Sequence, residues 1–196
     1  MSATTTTNQP RFTTEGFLGT MVAVLSILTA LVAYHSSIIG AAASGHELEG
    51  VRALTESNTE YISANQAVWF DYRQFDSWVL ATDDDAADYL QSGFSESLMA
   101  GMDRAEGPFD EVYYDEQFAV SEDLYGQALN LFEQGGAEGK QSDQLQLVML
   151  VFAVGLSFAA WASLSAVGAR TRQSFSLLSI GTLALGLLTY LIVLIA

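Results

Sequence analysis

The chain has 196 residues, half of them hydrophobic, and a mean hydropathy of +0.26. Its 23 acids outnumber 7 Lys and Arg, for a formal charge of −16. That balance excludes nucleic acid and anionic headgroups as partners of the acidic surface, and the lack of Cys excludes disulfides, thiolate metal sites and cysteine nucleophiles.

The apolar residues are concentrated in three blocks, 17–43, 145–167 and 175–196, and none of these contains Asp, Glu, Lys or Arg. Each is close to the ~20 residues that cross a hydrocarbon core as a helix. The expected fold is an all-α membrane protein with three transmembrane helices and an acidic helical hairpin or bundle, residues 44–144, between the first and second. Every acid but Glu15 lies in 47–143, where 22 acids meet four bases, Arg52, Arg73, Arg104 and Lys140, leaving 18 net negative charges. A surface rich in Asp and Glu with a single Lys suits molar salt, where a Debye length of about 3 Å screens self-repulsion. A halophilic archaeal source is expected. The alternatives are a cation-binding surface or a basic partner.

Residues 1–16 are polar and Thr-rich and read as a short disordered cytoplasmic tail. Residues 17–43 form either an uncleaved anchor or a signal peptide ending at Ala41-Ala42-Ala43. The run exceeds a signal core of about 7–15 residues, which favours the anchor. Two ladders of small residues, Ala33, Ser37, Ala41, Gly45 and Ser36, Gly40, Ser44, each occupy one helix face and suit close helix–helix approach. His35 is the polar candidate inside the membrane. It marks a proton or ion path, or else a hydrogen-bonded residue near the interface.

Residues 47–80 keep a helical beat: Val51, Leu54, Asn58, Tyr61, Asn65, Val68, Tyr72, Phe75, Val79. The alternating steps of three and four define a heptad stripe. Asn58 and Asn65 on that stripe either fix register in an oligomer or face solvent on a monomeric bundle. Trp69, Tyr72 and Trp78, with Phe70 and Phe75, form either a partner face or the hairpin core. The first span is expected to run on into this stretch, with Gly45 and Gly50, each weakening a helix by about 1 kcal/mol relative to Ala, leaving room for a joint. Thr82 or Asp83 caps a following helix, with Asp84 and Asp85 in its first turn. The EF-hand ligand spacing is missing there, so a calcium loop is not expected.

Residues 86–102 predict one short amphipathic helix with Leu90, Phe94, Leu98 and Met102 on its face. Gly107-Pro108 breaks the chain, and 109–134 return as a helix antiparallel to the first. Residues 135–139, Gly-Gly-Ala-Glu-Gly, read as a flexible link back to the membrane. The matching pattern at 109–134 makes a hairpin within one chain more economical than an oligomeric stalk. In the second span, 145–167, Gly155, Ala159 and Ser163 form a further small-residue face. The loop 168–174 carries Arg170 and Arg172, which mark it as cytoplasmic. Arg11 agrees, so the N-terminus is expected inside and residues 44–144 outside. The third span is 175–196.

Ser63, Asn65 and Ala67, then Trp69 and Tyr72, then Gln74 and Ser77 stand in a telling order. With the layout of anchor helix, soluble helical hairpin and two further spans, the chain resembles an uncharacterised family of small bacterial and archaeal membrane proteins. That resemblance implies an architecture and no activity.

No catalytic grouping emerges. The carboxylate pairs Asp71/Asp76 and Asp115/Glu116 read as solvated charges on helix surfaces, and no Gly-rich phosphate loop is present. The only His residues are His35 and His46, so no metal site within one chain and no cofactor are expected. The expected function is a non-enzymatic interaction or accessory subunit acting through the acidic domain. Its expected partners are the lipid bilayer and either itself or another membrane protein, with no nucleic acid. The alternatives are an extracytoplasmic sensor that signals through a partner, or an oligomeric transport or channel subunit.

Overall fold

A computed structural model describes residues 11–195. Most of the expected N-terminal tail and the last residue of the expected third span lie outside that range. The described chain is helical and contains no strand. A 3-10 turn at Arg11–Thr13 precedes helices α1 (Glu15–Val79), α2 (Asp84–Gln91), α3 (Glu96–Gly101), α4 (Glu111–Leu164) and α5 (Arg170–Ile195). Three of these, α1, α4 and α5, are long and apolar enough to cross a membrane. The chain is thus a multi-pass membrane protein of the all-α class.

Several expected boundaries move. The first span runs on into the 47–80 helix, as expected from the unbroken helical pattern, and α1 continues through Gly45 and Gly50 without a joint at either glycine. The glycine-rich stretch 135–139 is not a link but part of α4. Gly135 is buried there, and packing overrides the weak helix propensity of Gly. The expected helix over 86–102 is two helices. The chain turns at Ser92 and Gly93, and Ser95, extended at φ −64° and ψ 160°, caps α3 by accepting from the Leu98 N–H. Asp83 does cap α2, accepting from the Ala86 N–H at 2.8 Å. The loop between α4 and α5 spans 165–169 rather than 168–174, with Gly168 at φ +81° making its turn. Arg172 therefore belongs to a helix.

The chain divides into two compact units: residues 1–45 with 135–196, and His46–Gln134. In the first, the core holds Met21, Leu25 and Val32 of α1, Leu145, Val148, Phe152 and Ala159 of α4, and Val193 of α5. Ile27, Leu31, Leu147, Leu150, Leu188 and Ile192 point outward, as membrane helices require in lipid. Close approach is built on glycines. A Cβ on Gly155 would lie 2.4 Å from Thr182 Oγ1, and one on Gly186 would lie 2.4 Å from Phe152 Cε1. Residues 11–13, expected within the tail, are tied down. Buried Arg172 donates from Nε to the Thr13 carbonyl at 2.9 Å and from Nη1 to the Ser165 carbonyl at 3.2 Å. Ser176 Oγ donates to the Phe12 carbonyl at 2.5 Å.

The second unit is the expected hairpin, with α2 and α3 at its tip. Its helix contact falls on small residues. Buried positions of α1 recur every seventh residue at Gly50, Ser57, Ala64 and Asp71, and α4 answers with Ser121 and Ala128. Ser57 Oγ donates to the Ser121 carbonyl at 2.7 Å. The first unit repeats the device. Ser36 and Ser142 exchange hydroxyl-to-carbonyl bonds at 3.1 and 3.0 Å. The two serine pairs lie three heptads apart on both helices, so one antiparallel register holds in each unit. The apolar stripe expected as the seam meets that contact only in part: its Val68 is buried and its Tyr72 and Phe75 pack against the core. Its Val51, Asn58, Tyr61 and Val79 are exposed.

Candidate functional site

The polar centre of the second unit is Asp71, expected as a solvated charge and found 1 % exposed. The heptad that buries Gly50, Ser57 and Ala64 buries Asp71 as well. Its Oδ2 accepts from Ser95 Oγ at 2.5 Å and from Tyr113 Oη at 2.9 Å. Its Oδ1 is buried with no hydrogen-bond partner. Two caps converge on it, Ser95 directly and Asp110 through Tyr113. Ser95 starts α3 and donates to Asp71 at the same time. Asp110 precedes α4, and its Oδ1 accepts from the Tyr113 N–H at 2.9 Å and from Arg104 Nη1 at 2.6 Å. Tyr113 is thus fixed at its backbone by Asp110 and at its hydroxyl by Asp71.

Burial, and then the hydrogen bond to Asp71, push the Tyr113 phenol well above its ordinary range. Tyr114 is pushed up to about 12, first by its hydrogen bond with the Tyr72 hydroxyl and then by burial. The Tyr113 N–H holds the Asp110 carboxyl below the usual carboxylate range. Partial burial opposes this and Arg104 reinforces it.

An aromatic shell closes the tip. Tyr72 stacks on Phe109 at 4.2 Å, Phe75 meets Phe109 edge-on at 5.4 Å, and Trp78 meets Phe94 at 6.1 Å. Of the residues expected as a partner face or hairpin core, Tyr72 and Phe75 therefore pack against the core cluster, and Trp78 is half-buried beside it against Phe75 and Phe94. Trp69 and Phe70 do not: Trp69 is 70 % exposed and Phe70 is exposed too. Asn58 is exposed and lines a groove of about 560 Å³ with Tyr61, Ser121, Glu122 and Tyr125. Asn65 donates from Nδ2 to the Tyr61 carbonyl of its own helix at 2.8 Å. In the first unit, His35 Nδ1 lies 3.3 Å from Tyr190 Oη.

The Asp71 cluster is a polar knot in which Tyr113 links two carboxyl groups, Asp71 at its hydroxyl and Asp110 at its backbone N–H. Among the described residues, no group of three or more His, Asp or Glu could hold a metal ion. The sequence signal for the knot was the heptad of small residues leading to position 71. An apolar periodicity search passes over Gly, Ser and Ala. No protein-family model matches the chain, and neither curated proteins nor solved structures give a match.

Proposed function

We propose that the chain is a non-enzymatic integral membrane protein whose acidic helical unit serves as the docking surface of an accessory subunit. The observation that supports this most is the exposed apolar face of that unit: Trp69 is 70 % exposed and Leu80 78 %. Large apolar side chains held out to water on a strongly charged surface mark interaction sites. In the proposed topology the N-terminus is cytoplasmic and residues 44–144 are extracytoplasmic, on the strength of Arg11, Arg170 and Arg172 at the opposite ends of the spans. The layout also supports placing the chain in the uncharacterised family of small membrane proteins that it resembles.

Native mass measurement of the protein, extracted from its own membranes in gentle detergent, tests the reading. Complexes larger than the monomer are expected, and free monomer alone would overturn it. Protease added to intact cells tests the topology. Cleavage within 44–144 is expected without breaking the cells, and cleavage only after lysis inverts the orientation.

A further inference from the structure

The second unit carries 20 acids against 3 bases, yet one row of exposed positions along α1 has no acid in it. Along α1 and one residue beyond it, positions 48, 51, 55, 59, 62, 66, 69, 73, 77 and 80 follow one another by three or four residues and share one side of the helix. All ten are exposed. They are Leu48, Val51, Thr55, Thr59, Ile62, Gln66, Trp69, Arg73, Ser77 and Leu80. The three hydroxyl side chains are turned back onto their own helix. Thr55 donates to the Val51 carbonyl at 2.8 Å, Thr59 to Thr55 at 3.0 Å and Ser77 to Arg73 at 2.8 Å. Their donors are thus occupied within the helix. Two strict seven-residue rows run through the stripe, 48-55-62-69 and 59-66-73-80. That is a second helical seam, facing away from the one that holds the hairpin together.

We infer that this stripe is where a second copy of the same chain docks, α1 against α1. The inference rests on the accessory-subunit reading and names its partner. Charge selects the occupant. A basic partner would be drawn to the acid-covered remainder of the unit and would find nothing to pair with on the stripe. A second copy meets the opposite situation. Its acids repel those of the first everywhere else, so the acid-free stripe is the face along which two such units can close. The seven-residue rows suit a helix of the same repeat. Copies inserted in one membrane with the same orientation present α1 in parallel. About a two-fold axis, Ile62 then meets Ile62, and Gln66 meets Gln66, whose amide can pair with itself.

The chain has no Cys, so single cysteines report cleanly. In the full-length protein in its native membranes, at molar and at low salt, Ile62→Cys is oxidised and run without reductant. Glu60→Cys, exposed on another face of the same helix, is the control. A disulfide-linked dimer from Ile62→Cys at least about tenfold more abundant than from Glu60→Cys supports the inference. Equal yields from the two positions mean random collision and overturn it. A photoreactive residue in place of Trp69 separates the failures. If Ile62→Cys gives no dimer and the Trp69 probe links to a different membrane protein, the second copy is wrong while the accessory reading stands. If neither links to anything, both fall.

Discussion

Asp71 is a carboxylate that folding has taken out of water with two hydroxyl donors and no Lys or Arg among the described residues to pair with it. Such a group is held by its donors, and removing one leaves buried polarity unmatched. Tyr113→Phe is expected to lower stability by about 1–3 kcal/mol, the range for leaving a buried polar group without its partner. Thermal unfolding followed by circular dichroism measures it. Ser95→Ala should cost at least as much, because it also uncaps α3. The double variant should fall short of the sum, since both hydroxyls serve one oxygen.

The tyrosines add a pH signature. Tyr113 and Tyr114 both have phenols raised above the ordinary value of 10.0. Their contribution is fully present below pH 10. It declines above that, where the unfolded chain releases protons the folded one keeps. For Tyr114 the loss runs up to about 12. Tyr114→Phe should flatten the alkaline limb of the stability profile, as read by thermal unfolding across that range. None of this was legible from the acids themselves. Asp71 and Asp76 look alike in the sequence, and only the phase of the Gly50, Ser57, Ala64 row separates the buried one from the exposed one.

At the scale of elements, three long apolar helices and an antiparallel hairpin were readable because apolar blocks and helical spacing are strong signals. The joints were not. Glycines at 45, 50 and within 135–139 suggested breaks on propensity, which weighs about 1 kcal/mol per residue and yields to the packing of the long helices that carry them. A Cβ on Gly50 would sit 2.9 Å from Phe132 Cε1, so the glycine serves contact rather than flexibility. Two other glycines have opposite surroundings and predict opposite outcomes. Gly101 would place a Cβ 2.5 Å from the Pro108 carbonyl oxygen, a backbone atom that cannot swing aside. Gly101→Ala should therefore loosen the tip and lower the unfolding temperature. Gly136 has open space around it within α4. Gly136→Ala should stabilise by about 0.5–1 kcal/mol through helix propensity and a less flexible unfolded chain. Denaturant titration of the two variants side by side decides the matter.

At the scale of the molecule, the charge distribution dominates. With 20 acids against 3 bases in His46–Gln134, self-repulsion opposes compaction of the acidic unit until salt screens it. Its unfolding midpoint should climb as KCl is raised toward about 1 M, where the Debye length is about 3 Å. Circular dichroism melts over a salt series read this directly, and a flat response would count against the acids as the governing term. The spans carry their own polar fastening. Arg172→Ala removes both guanidinium donors to backbone carbonyls, and the 3-10 turn at Arg11–Thr13 loses a tie that hydropathy could not have revealed.

The helix contact made of Gly, Ser and Ala restricts substitution in an unusual way. Residues at 36, 43, 50, 57 and 64 are limited by size more than by polarity, since each already mixes easily between a hydroxyl, a methyl and a hydrogen. A saturation library at these positions should tolerate exchange among the three smallest side chains and reject Val and Leu as firmly as Lys. Homologues would then drift freely in hydropathy along this row while keeping its volume fixed.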